Sequence, residues 1–163
     1  MNGIIREIGM DESLDTSVEV IRKSFGTVAE ELSLTTENAP THPSFITIAQ
    51  LEELRWKGLV FYGYFLDDKQ VGFVTMEKAD DSLYYLEKLA VLPEYRHNGY
   101  GRKLVRFILD MAAAKGAKKL SIGIIYEQKV LKDWYKDIGF RETGIRKFEH
   151  LPFTVGFMEI DLV

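Results

Sequence analysis

The chain has 163 residues, 46% hydrophobic and 28% charged, which fits one globular domain with a substantial core. It holds no cysteine, so disulfides, thiolate metal sites and a cysteine nucleophile are excluded. No apolar run approaches the ~20 residues of a membrane span, and a net charge of −4 argues against general nucleic-acid binding.

The residues from Met1 to Glu7 lack the basic and apolar stretches of a signal peptide. Together with the missing cysteines, this predicts a cytoplasmic protein. Ile4 to Ile8 reads as a short strand, and Leu14, Val18, Ile21 and Phe25 then recur at helical spacing. Ser33 to Pro43 is polar and carries two prolines near its end, so it reads as a loop. Phe45, Ile48, Leu51 and Leu54 mark a second helix that stops near Gly58. Leu59 to Leu66 and Val71 to Lys78 are strand-like, joined by a hairpin turn at Asp67 to Gln70. Trp56, Phe61, Tyr62 and Tyr64 are expected in the core or on a sheet face.

Tyr84 to Leu92 is a third long strand, closed by Pro93. Leu104, Val105, Ile108, Leu109 and Ala112 form one apolar helix face, and Lys115-Gly116 ends that helix with a cation and a glycine. Leu120 to Tyr126 is rich in β-formers. Val130, Leu131, Trp134, Tyr135 and Ile138 give another amphipathic helix, stopped by Gly139. Phe140 to Phe148 and Phe153 to Ile160 finish the chain as two strands. The order predicts an α/β (α+β) domain over residues 1–163, with a mixed, mostly antiparallel central sheet flanked by helices. The strand meander in the middle argues against a doubly wound nucleotide fold.

Charge is uneven along the chain. Acids dominate from Asp67 to Glu87 and bases from Glu94 to Lys119, which suggests an anion site around Arg96, Arg102 and Lys103. The stretch Arg96-His97-Asn98-Gly99-Tyr100-Gly101 lies between the third long strand and the helix predicted to begin near Arg102. A glycine-bearing turn there aims backbone N–H groups outward at a helix N-terminus, an arrangement that binds phosphate. It lacks the third glycine of a dinucleotide fingerprint and the Gly-Lys-Ser/Thr of a Walker loop.

Val91 to Gly101 closely resembles the acyl-CoA-binding motif of the GNAT N-acetyltransferase superfamily, and Trp134 to Phe140 resembles the second motif of that family. The resemblance implies the GNAT fold, a pyrophosphate cradle at Arg96, His97, Asn98, Gly99, Tyr100, Gly101, Arg102 and Lys103, and a strand at Leu89, Ala90 and Val91 that pairs with the pantetheine arm. It implies acetyl-CoA as acyl donor and a primary amine as acceptor, with no metal, nucleic acid or membrane partner; homodimerisation is left open. Many members carry an Asn seven residues before the motif Tyr; here that position is Gln128, the same amide on a longer stem.

The chemistry asks for a base, because an ammonium near pKa ~10.4 must lose a proton before it attacks. Strand alternation places Tyr85, Glu87, Leu89 and Val91 on one face, where an acid in an apolar run acquires a raised pKa. Glu87 is therefore either the general base or a strand-edge acid paired with Lys88 or a neighbouring strand. The resemblance implies that Tyr135 protonates the departing thiolate, while its helical spacing alone also suits a core residue. A non-catalytic acyl-CoA-binding module is the alternative to the enzyme. His42, His97 and His150 show no metal-ligand spacing.

Overall fold

The computed structural model describes residues 3–162; Met1, Asn2 and Val163, at the ends of the span read from sequence, lie outside the described residues. The strands are β1 (Gly3–Ile8), β2 (Val60–Leu66), β3 (Lys69–Lys78), β4 (Leu83–Val91), β5 (Lys119–Ile125), β6 (Arg141–Lys147) and β7 (Thr154–Asp161). The helices are α1 (Asp15–Glu31), α2 (Ile48–Trp56), α3 (Tyr100–Ala114) and α4 (Lys129–Ile138). All seven strands form one sheet, in the order β1-β2-β3-β4-β5-β7-β6. The expected architecture of a mixed, mostly antiparallel sheet with flanking helices is the one observed: only β4 and β5 run parallel.

That parallel pair is also the weakest joint. It holds over three residue pairs, Leu83↔Lys119, Tyr84↔Leu120 and Tyr85↔Ser121, and then stops. Beyond Tyr85 the sheet divides into a wing of β1 to β4 and a wing of β5, β7 and β6. The core continues across the joint. Phe61, Phe73, Leu104, Ile108, Leu120 and Met158 are all fully buried, and burial of such a side chain contributes about 1.5–3 kcal/mol.

Sequence periodicity located the elements, and local chemistry set their ends. Helix α2 begins at Ile48 rather than Phe45, because Thr47 and Gln50 form a reciprocal capping box. Pro43–Phe45 is a separate 3-10 turn. Helix α3 begins at Tyr100, two residues before the expected start. Its predicted face (Leu104, Val105, Ile108, Leu109 and Ala112) is buried, and Gly116 takes the left-handed conformation at its end (φ +89°).

Two apolar residues depart from expectation. Trp56, at the end of α2, is 80% exposed, while Phe61, Tyr62 and Tyr64 are buried. Val130 is 86% exposed, because α4 contacts the core through Leu131, Trp134, Tyr135 and Ile138.

A third departure concerns β4. Its pairing with β3 shifts between Phe73↔Ala90 and Thr75↔Glu87, leaving Lys88 and Leu89 opposite the single residue Val74. This is a β-bulge, and Lys88 adopts φ +53° within it. The extra residue resets the alternation. Tyr85 and Glu87 share a sheet face with Ala90, and Leu89 and Val91 no longer lie on it. The single face expected for Tyr85, Glu87, Leu89 and Val91 is thus broken at the bulge.

Candidate functional site

The stretch from Arg96 to Gly101 turns the chain from β4 into α3. His97 and Gly99 take positive φ (+65° and +81°), and Gly99 sits at the N-cap of α3 without a side-chain cap bond. Six successive backbone N–H groups, from His97 to Arg102, have no acceptor among the described residues; the next N–H, that of Lys103, bonds to Gly99 O at 3.1 Å. The N-terminus of this 15-residue helix has no side-chain cap, so it leaves free donors at the positive end of the helix dipole. Such an array suits a diphosphate.

The two glycines do different work. Gly99 is required by its dihedral, because a β-branched residue at that φ is strained. Gly101 has ordinary φ, and a Cβ there would meet Trp134 at 3.6 Å and Val91 at 3.8 Å, normal contact distances.

The basic side chains are not equally available to an anion. Arg96 is spent on α1: its guanidinium donates to Thr27 Oγ1 (3.1 Å), Ser24 O (2.8 Å) and Ser24 Oγ (3.3 Å). It ties the loop to the helix, and burial lowers its pKa somewhat. Arg102 bridges to Asp137 on α4 at 3.2 Å. Lys103 is exposed. Asn98 donates its amide to Tyr95 O and Arg96 O, which holds the turn closed.

Past Tyr85, the edge of β4 that faces β5 has no strand partner. Leu89, Ala90 and Val91 lie on this segment, and the Val91 N–H is taken by Ser24 Oγ at 3.2 Å. Glu87 lies two residues past the last parallel pair, where the wings part. It is half-buried and forms no ion pair among the described residues, with Lys88 or any other base. Burial raises its pKa above the ordinary carboxylate range; the Lys88 charge opposes this, and the Glu77 carboxyl adds to it.

Tyr135 is only 5% exposed and stands edge-on to Trp134 and Phe140. Its hydroxyl makes no hydrogen bond among the described residues, yet no fully buried polar side-chain atom lacks a partner. The hydroxyl therefore keeps accessible surface while the ring is buried. Burial pushes the phenol well up, so it stays protonated. Gln128 is the N-cap of α4, makes no side-chain cap bond, and precedes Tyr135 by seven residues, about two helical turns.

The structure brings the loop, the open β4 edge and Glu87 together along one strand, and it sets Tyr135 and Gln128 on α4. Helix α4 packs on the start of α3 through Trp134 and Gly101. Sequence reasoning missed Ser24 and Thr27, which anchor Arg96, because a contact across 69 residues leaves no local signal. It also missed Glu77, whose place beside Glu87 depends on strand register. His42, in the loop after α1, is buried and bonds Ser44 Oγ through Nδ1 at 2.6 Å, a local structural pairing.

Residues 27–140 match the model of the acetyltransferase (GNAT) family. Over 58 residues the chain is 34% identical to thialysine N-epsilon-acetyltransferase of Sus scrofa, covering 36% of this chain and 34% of that one. Over 82 residues it is 30% identical to an uncharacterized N-acetyltransferase of Mycobacterium bovis, covering 50% and 53% of the two chains. The matches thus span from about a third to about half of the length of these curated relatives. In fold, the chain is similar to the PaiA N-acetyltransferase of Thermoplasma acidophilum solved with coenzyme A, with a TM-score of 0.78, 20% identity and 99% of each chain covered.

Proposed function

The chain belongs to the GNAT acetyltransferase family, and on that premise we propose that it moves an acetyl group from acetyl-CoA to a primary amine by direct attack in a ternary complex. The observation that carries this reading is the run of six unpaired N–H groups beside an unpaired strand edge. The donors fit a diphosphate, and the open edge of β4 fits an amide-bearing arm lying between the wings. Acetyl-CoA, when bound, supplies an activated acyl group and a thiol leaving group.

The side chains then divide the work. Glu87 accepts a proton from the acceptor ammonium, directly or through a water. Its raised pKa brings its basicity closer to neutrality than that of an ordinary carboxylate. Tyr135, held protonated, donates to the departing thiolate. The Gln128 amide offers a further bond to the donor's arm. Much of the rate comes from holding amine and thioester in register.

Calorimetry with coenzyme A, followed by thiol release from acetyl-CoA across a panel of polyamine, aminoglycoside, lysine and peptide N-terminal amines, tests the reading. Binding plus turnover on one class supports it. Binding with no turnover on any amine supports a non-catalytic acyl-CoA-binding module instead. Absence of binding removes both.

A further inference from the structure

Glu77 and Glu87 stand on adjacent strands and on the same sheet face. Glu77 pairs with Tyr85 and Glu87 pairs with Thr75, so the two acids are diagonal neighbours across β3 and β4. Diagonal side chains of this length reach each other. Both are half-buried, and neither is in an ion pair among the described residues. Thr75, directly opposite Glu87, donates its hydroxyl to Glu87 O at 3.1 Å, so that hydroxyl is engaged with the backbone. The bulge at Lys88 keeps Glu87 on this face while turning Leu89 and Val91 away from it.

We propose that Glu77 is a positioning residue that acts through Glu87: when Glu87 takes the acceptor's proton, the new carboxylic O–H donates to the Glu77 carboxylate. The inference rests on the proposed acetyl transfer for its purpose but not for its detection. In the step, one ammonium N–H bond breaks and one O–H bond forms on Glu87. The proton is shared with Glu77 and returns to solvent after the product leaves. Two carboxylates on diagonal positions that share a proton bind it more tightly than either does alone, so Glu77 strengthens Glu87 as a base. The groups acting on Glu87 agree with this. Burial is the largest influence raising the Glu87 pKa, Lys88 supplies the opposing positive charge, and the Glu77 carboxyl adds to the rise. Helix α1, which packs on this wing, buries only uncharged residues (Ser17, Val18, Val20, Ile21, Ser24 and Ala29). The pair also suits an acceptor that is cationic and has no carboxylate next to its amine.

Carbon-13 NMR of the intact protein, labelled at glutamate side-chain carboxyls and titrated from acid to neutral pH, tests the inference. The resonance lost in Glu87→Gln identifies Glu87. In Glu77→Gln its midpoint should fall by one pH unit or more, a tenfold weaker hold on the proton, and Glu77→Asp should give an intermediate value. A Glu87 midpoint unchanged within about 0.3 unit in both variants overturns the inference. Glu77→Asp keeps a charged, shorter side chain and serves if Glu77→Gln does not fold. None of these readouts requires turnover. A shifted midpoint in a protein that acetylates no amine would sink the proposed activity and leave the carboxyl pair standing.

Discussion

The two ends of the proposed site are built by different means. At the loop from Arg96 to Gly101, the groups open to a ligand are backbone N–H donors, and the side chains of Arg96 and Asn98 brace the turn. At the foot of the divided sheet, the proposed reacting groups are side chains: Glu87 and Glu77 lie on one wing, and Tyr135 lies on α4. A backbone site is defined by dihedral angles, so a few residue types encode it. A side-chain site is defined by which strands become neighbours and in what register. Substitutions at the first end should therefore alter affinity for the donor, and substitutions at the second should alter rate.

The largest effect is expected at Glu87. Glu87→Gln should lower kcat/KM by roughly 10²–10⁴-fold and leave the Kd for coenzyme A within about twofold; an equal loss in both would erase the distinction between the ends. The pH dependence follows from the raised pKa of this group. Activity requires the ionised carboxylate, so kcat/KM should fall as pH drops through a value above the ordinary carboxylate range, and this acid limb should vanish in Glu87→Gln. Folding carries the opposite sign. A carboxyl easier to protonate in the fold than in the unfolded chain stabilises the protein below its unfolded pKa, and that stabilisation is lost as pH rises through the raised folded value.

Tyr135→Phe comes next, with kcat reduced by on the order of tenfold or more and little change in coenzyme A affinity by calorimetry. An unchanged kcat would remove Tyr135 from the mechanism. At the other end, Gly99→Val introduces about 1–3 kcal/mol of backbone strain at φ +81°; where the free loop relaxes to escape it, coenzyme A binding should weaken by about 5- to 150-fold. Arg96→Gln should cost about 1–2 kcal/mol of stability by denaturant titration. Its effect on the salt dependence of coenzyme A binding should be small, because the guanidinium is bonded to Ser24 and Thr27. A strong loss of salt dependence would return Arg96 to the list of direct phosphate contacts. Gly101→Ala should change the Kd least, within about twofold, given normal contacts for the added Cβ.

The contrast between the ends also explains what could be read early. The glycine turn, the apolar face of α3 and the Tyr135 to Phe140 segment are local patterns, and each lies where periodicity and turn chemistry put it. Misreadings arose where long-range contacts intervened. Arg96 looks like a free cation in sequence, yet it bonds residues about 70 positions away. Trp56 looks like a core residue, but α2 buries only Leu51 fully, and at its last turn Leu54 packs on the core while Trp56 faces solvent. The alternation through β4 fails at Lys88, because a bulge is a property of two paired strands rather than of one.

From sequence alone come the order of elements, the mixed sheet and the glycine turn ahead of α3, because each depends on neighbours a few residues apart and on backbone freedom at glycine. Tertiary structure alone decides that β4 and β5 part after Tyr85, that Glu87 is a diagonal neighbour of Glu77 across β3 and β4, and that Arg96 braces α1. Strand register, bulges and side-chain partners are settled by packing between segments far apart in the chain, where no local pattern reaches.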